Sequence, residues 1–114
     1  MPREESAYLQ DILVAAQGAR THVRGLAFSE FTQSRLHQYA VQWELTVMGE
    51  AASCVSLDTK VAHPEIPWSQ MTGMRNRIVH RYFWVDLDIV WSVVREDLPG
   101  LIAQVAPLVP SEAE

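Results

Sequence analysis

One short stretch of the chain combines positive charge, an imidazole, an amide and a phenol. It covers residues 74–82, reads MRNRIVHRY, and places Arg75, Arg77 and Arg81 close together, so that this window is +3 in a chain of net charge −5. A neutral imidazole such as that of His80 can take the proton from a ribose 2′-hydroxyl, and a guanidinium can stabilise the charge that builds on phosphate oxygens. If the two groups meet at one phosphate, the pattern suits RNA cleavage that requires no metal.

Helical spacing alone does not bring these two groups together. On an ideal helix Arg75 and His80 diverge by about 140°, whereas Arg75 and Tyr82 lie on nearly one face. A bend near His80, or the long reach of an arginine, is needed for guanidinium and imidazole to converge. The alternative is that the arginines form a solvated helix face and that His80 is a half-buried histidine with its hydrogen bonds satisfied.

Length and composition indicate one soluble domain. The chain has 114 residues, of which 48% are hydrophobic and 20% charged, far from the composition of disordered proteins. No apolar run approaches the roughly 18 residues that span a bilayer, so we expect a cytoplasmic protein without membrane contact. The lone Cys54 excludes an intramolecular disulfide, and we expect it to be buried. The acidic average repels nucleic acid, so any RNA must be held by a local patch.

Apolar residues at spacings of three and four predict an all-α fold with four main antiparallel helices in an up-and-down bundle. The predicted helices span about 4–23, 30 or 32 to 57, 67–81 and 86–105, with a connection at 58–66. Pro99 interrupts an apolar period that continues beyond it, which predicts a kink in the last helix. We expect a single domain over residues 1–106 and a frayed tail over 107–114.

The second predicted helix has more apolar surface than one neighbour can cover. One stripe contains Leu36, Ala40, Trp43, Val47, Ala51 and Val55, and the other contains Val41, Leu45, Met48 and Ala52. The helix is therefore either central in its own bundle or shared with a second subunit. Gly49, which is costly inside a helix, predicts close approach of another backbone. Glu50 is expected to pair with an arginine of the same chain or of its mate.

Other residues that could bind metal or RNA have simpler explanations. His22, His37 and His63 form no helical metal pair, so we predict no metal site and interpret them as water-facing. Asp86 and Asp88 could bind a divalent ion, but two acids at a helix start are ordinary favourable charges at its positive end. The aromatic residues that could stack on bases, but whose spacing favours core or interface positions, are Trp43, Trp68, Trp84 and Trp91.

Arg75, His80 and Tyr82 occur in an order that resembles a known signature. The HEPN superfamily has Arg, four to six residues, then His, and its HepT toxin family has Arg, four residues, His, one residue, Tyr. The resemblance covers nearly the whole chain, because further matches follow in order: YLQDIL at 8–13, GEA at 49–51, PEIPW at 64–68, GMRN at 73–76 and parts of 85–99. Several ordered matches are more specific than one short motif.

The resemblance implies an all-helical bundle that dimerises, which would account for the second apolar stripe. It also implies a ribonuclease site where two signature segments meet across the dimer interface, with metal-independent cleavage that leaves a 2′,3′-cyclic phosphate and uses no cofactor. Arg75 would hold or polarise the scissile phosphate, His80 would act as general base or acid, and Asn76 would position one of them or the RNA. The supporting residues would be Arg77, Arg81 and Glu50.

Tyr82 has a separate implied role. In the HepT family this tyrosine accepts adenylyl groups from a minimal nucleotidyltransferase antitoxin, which silences the toxin. The resemblance thus implies the toxin of a type VII-like toxin–antitoxin pair that cleaves RNA, with tRNA as one candidate. Two other functions stay open: a non-catalytic helical module that partners a nucleotidyltransferase or holds its nucleotide, and a dimerisation domain without ligands. The simpler explanation of Tyr82 is an amphipathic residue at the bundle surface.

Overall fold

The computed structural model describes residues 3–82 and 85–110. Within these ranges the chain forms helices and no strand, which confirms the predicted all-α class. The helices are α1 (Glu5–His22), α2 (Phe28–Thr32), α3 (Arg35–Ser53), α4 (Leu57–Ala62), α5 (Trp68–His80), α6 (Leu87–Ser92) and α7 (Leu98–Val105). A π-helical segment, Val93–Asp97, joins α6 to α7, and a 3-10 turn, Ala106–Leu108, follows α7.

Helix α3 is the central element, and its neighbours pack antiparallel to it. Glu5 at the start of α1 reaches the backbone just beyond the end of α3, whereas His22 at the end of α1 contacts Glu44 in the middle of α3. On another side, Gly49 near the end of α3 faces Met71 near the start of α5. The last helix, interrupted by the π segment, packs on α1. The bundle of four main helices is therefore confirmed.

The core lies where the buried faces of α1, α3 and α7 meet. Its fully buried members include Ile12 of α1, Leu45 of α3 and Leu98 of α7. The short α2 contributes Phe31, which is also fully buried and whose ring lies 5.2 Å from that of Trp91. Full burial of one such side chain stabilises a fold by about 1.5–3 kcal/mol. This packing holds helices that are too short to be stable alone.

The tryptophans divide between core and surface. Trp68 is buried and donates its indole N–H to the backbone oxygen of His63 at 3.0 Å. Trp91 packs against two phenylalanines of α2, so these two residues have the structural positions that the sequence favoured. Trp43 is 67% exposed on α3. Trp84 lies outside the described residues.

The single second helix predicted from about residue 30 to 57 is wrong. The chain forms α2, α3 and α4 instead, because two serines supply N-caps where new helices begin. The Ser34 hydroxyl accepts the backbone N–H of His37 at 3.3 Å, and the Ser56 hydroxyl accepts that of Thr59 at 3.2 Å. The stretch predicted to be a plain connection therefore contains α4.

Cys54 requires a second correction. It was expected to be buried, but it is exposed. Because α3 ends at Ser53, Cys54 falls in the turn that follows the helix rather than on its buried face.

The last helix is interrupted immediately before Pro99, as the sequence predicted. The N–H of Leu98 donates to the backbone oxygen of Val93, five residues earlier, which widens the helix into a π turn. Pro99 has no N–H to donate and stands in the first turn of α7. The interruption therefore takes the form of a π-helical segment. Residues 111–114 of the predicted tail lie outside the described residues, so its fraying stays a prediction.

Gly49 marks the crossing of α3 and α5. A β-carbon added to Gly49 would lie 2.5 Å from the backbone oxygen of Met71 and 3.2 Å from Cγ of Arg75. A larger residue would force α5 away. The predicted close approach of another backbone is therefore confirmed, and the glycine sets the position of Arg75 relative to α3.

Candidate active site

Helix α5 carries most of the predicted site residues and ends within them. It runs from Trp68 to His80, and the backbone leaves helical geometry at Arg81, with φ −131° and ψ 38°. The N–H of Arg81 makes the last helical bond, to Arg77 at 2.9 Å. Tyr82 therefore lies beyond the helix rather than on the Arg75 face of an extended α5.

Arg75 is fixed by two neighbours. Its Nε atom is buried and lies 3.0 Å from Oε2 of Glu50. The two side chains form an ion pair, but the angle at Nε does not meet the requirement for a hydrogen bond. Its Nη1 atom donates to Oδ1 of Asn76 at 2.9 Å. The predicted pairing of Glu50 with an arginine is therefore confirmed within one chain. These contacts hold the guanidinium at the edge of α3, where the side chain is 30% exposed and open to an anion.

His80 does not share this setting. It is exposed at the end of α5, so the half-buried histidine considered from the sequence is wrong. Among the described residues, no hydrogen bond joins His80 to Arg75. Arg77 and Arg81 are exposed as well, and Tyr82 is 75% exposed. One chain thus brings together Arg75, Glu50 and Asn76 and presents the imidazole and the phenol to the outside.

The two apolar stripes of α3 have different surroundings. The stripe that includes Val41 and Leu45 is buried in the core. The stripe that begins at Leu36 is exposed to solvent over its first half, where Leu36 is 75% exposed and Trp43 is 67% exposed. Glu50 follows Trp43 by two helical turns on the same face, so the open apolar surface leads directly to the Arg75 contact.

A groove beside α5 was not predicted. It is a cavity of about 600 Å³ between α5 and α6, lined by Met74, Arg77, Arg81, Asp86 and Ile89 among others. It arises because α5 packs on α3 and stands apart from α6, a tertiary relation that no local pattern encodes. Met74, an apolar residue that the predicted apolar set of its helix did not include, was the only sequence signal.

The remaining candidates have local partners. His22 lies 3.0 Å from Glu44, and His37 lies 2.6 Å from the hydroxyl of Ser34. Asp86 caps α6 by accepting the N–H of Asp88 at 2.9 Å, which confirms its predicted role at a helix start.

No three His, Cys, Asp or Glu side chains of residues 3–82 and 85–110 lie together as a metal cluster. Over the same ranges, no helix is both long enough and apolar enough to cross a lipid bilayer.

Comparison with known proteins relates the chain to ribonucleases. The family model described as Ribonuclease HepT-like matches residues 12–108. The chain belongs to this family. A relative named "Probable ribonuclease HepT", from Thermococcus cleftensis, is 39% identical over 89% of this chain and 92% of its own length. A second, from Methanocaldococcus jannaschii and also provisionally named an RNase, is 33% identical over 90% of this chain and 94% of its own length. No solved structure matches the chain.

Proposed function

We propose that the protein is a metal-independent endoribonuclease and the toxin of a toxin–antitoxin pair. The observation that carries the proposal is that a HepT-like ribonuclease family covers residues 12–108, including all of α5. Arg75 and His80 supply the charge stabilisation and the base that such cleavage needs, so no metal has to be invoked.

The surroundings of Arg75 support a role for it at the scissile phosphate. Glu50 engages its Nε and Asn76 engages its Nη1, so that Nη2 is the nitrogen left to meet a phosphate oxygen. His80 takes the proton of the 2′-hydroxyl, whose oxygen attacks the phosphorus. The 5′-oxygen then leaves and receives a proton from an acid, and the upstream strand ends in a 2′,3′-cyclic phosphate. A fixed guanidinium is effective here because it does not have to reorganise as charge develops.

The active form is a homodimer in this proposal. The guanidinium of Arg75 lies against α3 while His80 lies at the end of α5, so one chain does not assemble the pair. The exposed stripe of Leu36, Tyr39 and Trp43 supports a second copy packed on α3. Because this stripe leads to Glu50, a partner seated on it would bring its own α5 near Arg75.

The first test is RNA cleavage in excess EDTA. We expect wild-type protein to cleave single-stranded RNA and tRNA to products with cyclic phosphate ends. Arg75→Ala and His80→Ala should each lower the rate at least about 100-fold, the usual effect of losing a general base or an oxyanion partner. His63→Ala, which removes a histidine just after the end of α4, is the matched control and should cleave normally. Cleavage by His80→Ala at the wild-type rate would refute the assignment.

Mixed dimers test whether the site is shared between chains. In a dimer of one Arg75→Ala chain and one His80→Ala chain, one composite site retains both groups and the other has neither. Random exchange should therefore restore about one quarter of the wild-type activity from two inactive parents. No restoration in dimers that have demonstrably exchanged would place both groups of a working site on one chain.

Regulation is proposed to act at Tyr82. The phenol oxygen would attack the α-phosphate of ATP in the active site of a nucleotidyltransferase antitoxin, and pyrophosphate would leave. The exposure of Tyr82 at the end of α5 supports access, and an added phosphate would repel RNA beside Arg81. Coexpression with the antitoxin should add one or more AMP masses to the wild type and none to Tyr82→Phe. Modification of both proteins alike would show that another residue is the acceptor.

A non-catalytic binding module is the second candidate. It is favoured by one observation: within the described residues, no hydrogen bond joins His80 to Arg75. Under this alternative, bare and folded wild-type protein would not cleave RNA, and His80→Ala would change neither toxicity nor binding of the nucleotidyltransferase.

A further inference from the structure

A second basic cluster lies outside the α5 segment. A cavity of about 360 Å³ between the end of α1 and the π segment is lined by Arg20, Val23, Arg24, Gly25, Val94 and Arg95. Three of these six residues are arginines and none is acidic. In a chain with 14 acidic and 9 basic residues, such a local charge of +3 is unusual.

Within residues 3–82 and 85–110, the three arginines have no acidic partner. Among the described residues, none of their guanidinium groups makes an ion pair or a hydrogen bond to a side chain. Arg95 lies over the ring of Trp91, 5.2 Å from its centroid, which fixes it at the cavity. The adjacent acid, Glu96, accepts the hydroxyl of Ser92 at 3.2 Å and does not line the cavity. Three like charges held together without compensation favour an anionic ligand.

The cavity lies at the same end of the bundle as the candidate active site. Helices α1 and α5 both run antiparallel to α3, so Arg20 and His80 stand where these helices finish. Helix α6 begins close to Arg81, because Asp86 at its start and Arg81 line the same cavity. Arg95 follows Asp86 by nine residues, or about 14 Å along the helix axis. An RNA strand that leaves α5 along α6 would reach Arg95 after a few nucleotides.

We infer that the Arg20–Arg24–Arg95 cavity binds a backbone phosphate of the RNA substrate away from the reacting bond. This inference rests on the proposed ribonuclease function and adds to it a site on a different pair of helices. The cavity supplies charge and no base-specific partner, so its contribution is independent of RNA sequence. Arg20 also stands in the last turn of α1, where a cation interacts favourably with the helix dipole, and the test must separate this structural role from RNA binding.

The test measures RNA binding rather than cleavage, in a His80→Ala background that keeps the RNA intact. The probe is a single-stranded uridine oligonucleotide, titrated at several salt concentrations. Each phosphate contact on a single strand contributes about 0.7 to the slope of log K against log salt. Because one phosphate contact would be lost, Arg20→Gln/Arg24→Gln should lower the slope by about 0.7 and weaken binding by about 5-fold at 0.1 M salt.

Lys60→Glu is the control, because it changes the net charge by the same two units on α4, which does not line the cavity. It should leave the slope unchanged. An unchanged slope in the double arginine variant, with normal RNA binding, would overturn the cavity assignment and leave the proposed function standing. If the His80→Ala protein itself bound no RNA, both proposals would fail together.

Free AMP is the second probe, since a mononucleotide offers the same phosphate chemistry as the strand. AMP binding that is lost in Arg20→Gln/Arg24→Gln, together with unchanged RNA binding, would assign the cavity to a free nucleotide and overturn the inference. Circular dichroism on the double variant checks that α1 is intact. If α1 had lost helicity, Arg24→Gln alone, which alters a residue beyond the end of α1, should still lower the slope, by up to about 0.7.

Discussion

Replacement of Gly49 by alanine tests whether the α3–α5 crossing positions the active site. The added methyl group would lie 2.5 Å from the backbone oxygen of Met71 and 3.2 Å from Cγ of Arg75, and closer still to Cβ of Arg75. A backbone oxygen and a β-carbon cannot swing aside as the end of a flexible side chain can. Helix α5 must therefore move away from α3, and Arg75 must move with it.

The magnitude follows from two opposing effects. Alanine gains about 1 kcal/mol over glycine inside a helix, whereas overpacking of a tight contact costs about 1–3 kcal/mol and more when backbone must shift. We expect a net loss of about 1–2 kcal/mol in the free energy of unfolding, or a Tm lower by about 5–15 °C for a domain of this size. A displacement of Arg75 by about 1 Å should in addition lower the cleavage rate by about 100-fold.

The assay is chemical denaturation followed by circular dichroism at one fixed protein concentration, combined with RNA cleavage under native conditions. Gly73→Ala is the matched control, because Gly73 lies inside α5, the other helix of the crossing, and a β-carbon there would meet nothing within 4 Å. That control should gain up to about 1 kcal/mol. If Gly49→Ala were as stable as Gly73→Ala, the reasoning on the crossing would be refuted.

Three further predictions address other parts of the fold. Glu5 accepts the N–H of Ser56 at 2.6 Å and the hydroxyl of Thr59 at 2.7 Å, and these bonds lower its pKa below the ordinary 4.5. The ionised Glu5 carboxylate therefore stabilises the fold fully above that pH, and this effect is lost as pH falls through the folded-state pKa. The difference in unfolding free energy between wild type and Glu5→Gln should shrink only below about pH 4.5. A difference that persists unchanged to pH 2 would contradict this. Trp43→Ser should lower the dimer fraction in sedimentation without reducing helicity, whereas Leu57→Ser, equally exposed on α4, should not; equal effects would argue against an α3 interface. Phe31→Ala should cost about 3–5 kcal/mol in urea denaturation, and a loss below 1 kcal/mol would show that α2 is not part of the core.

The sequence predicted the helix class well because apolar spacing is a local property. It missed the division of the second helix, although Ser34 and Ser56 both stand at N-cap positions that favour helix starts. The continuous apolar period across those positions outweighed the capping signal in the prediction. The π segment was foreseen only as an interruption at Pro99, since the choice between a kink and a wider turn depends on packing against α1.

The candidate site was also predictable only in part. The pairing of Glu50 with an arginine followed from an acid on an apolar helix beside Gly49, and the structure supplies Arg75 as its partner. The position of His80 relative to Arg75 could not be predicted, because it depends on where α5 ends and on what a second chain contributes. The arginine cavity was missed because its members come from two segments about 70 residues apart in the sequence.

An acidic protein can bind RNA when its cations are placed apart from its acids. Acids at the other end of the bundle are already engaged: Asp11 pairs with Arg3 at 2.6 Å, and Glu5 holds the start of α4. At the end where α1 and α5 finish, Arg20, Arg24 and Arg77 have no acidic partner within the described residues. Because exposed charges are screened over about 8–10 Å at physiological salt, an RNA strand in the cavity lined by Arg20, Arg24 and Arg95 experiences mainly these arginines. The net charge of −5 therefore limits nonspecific binding elsewhere on the surface without preventing attachment at this end.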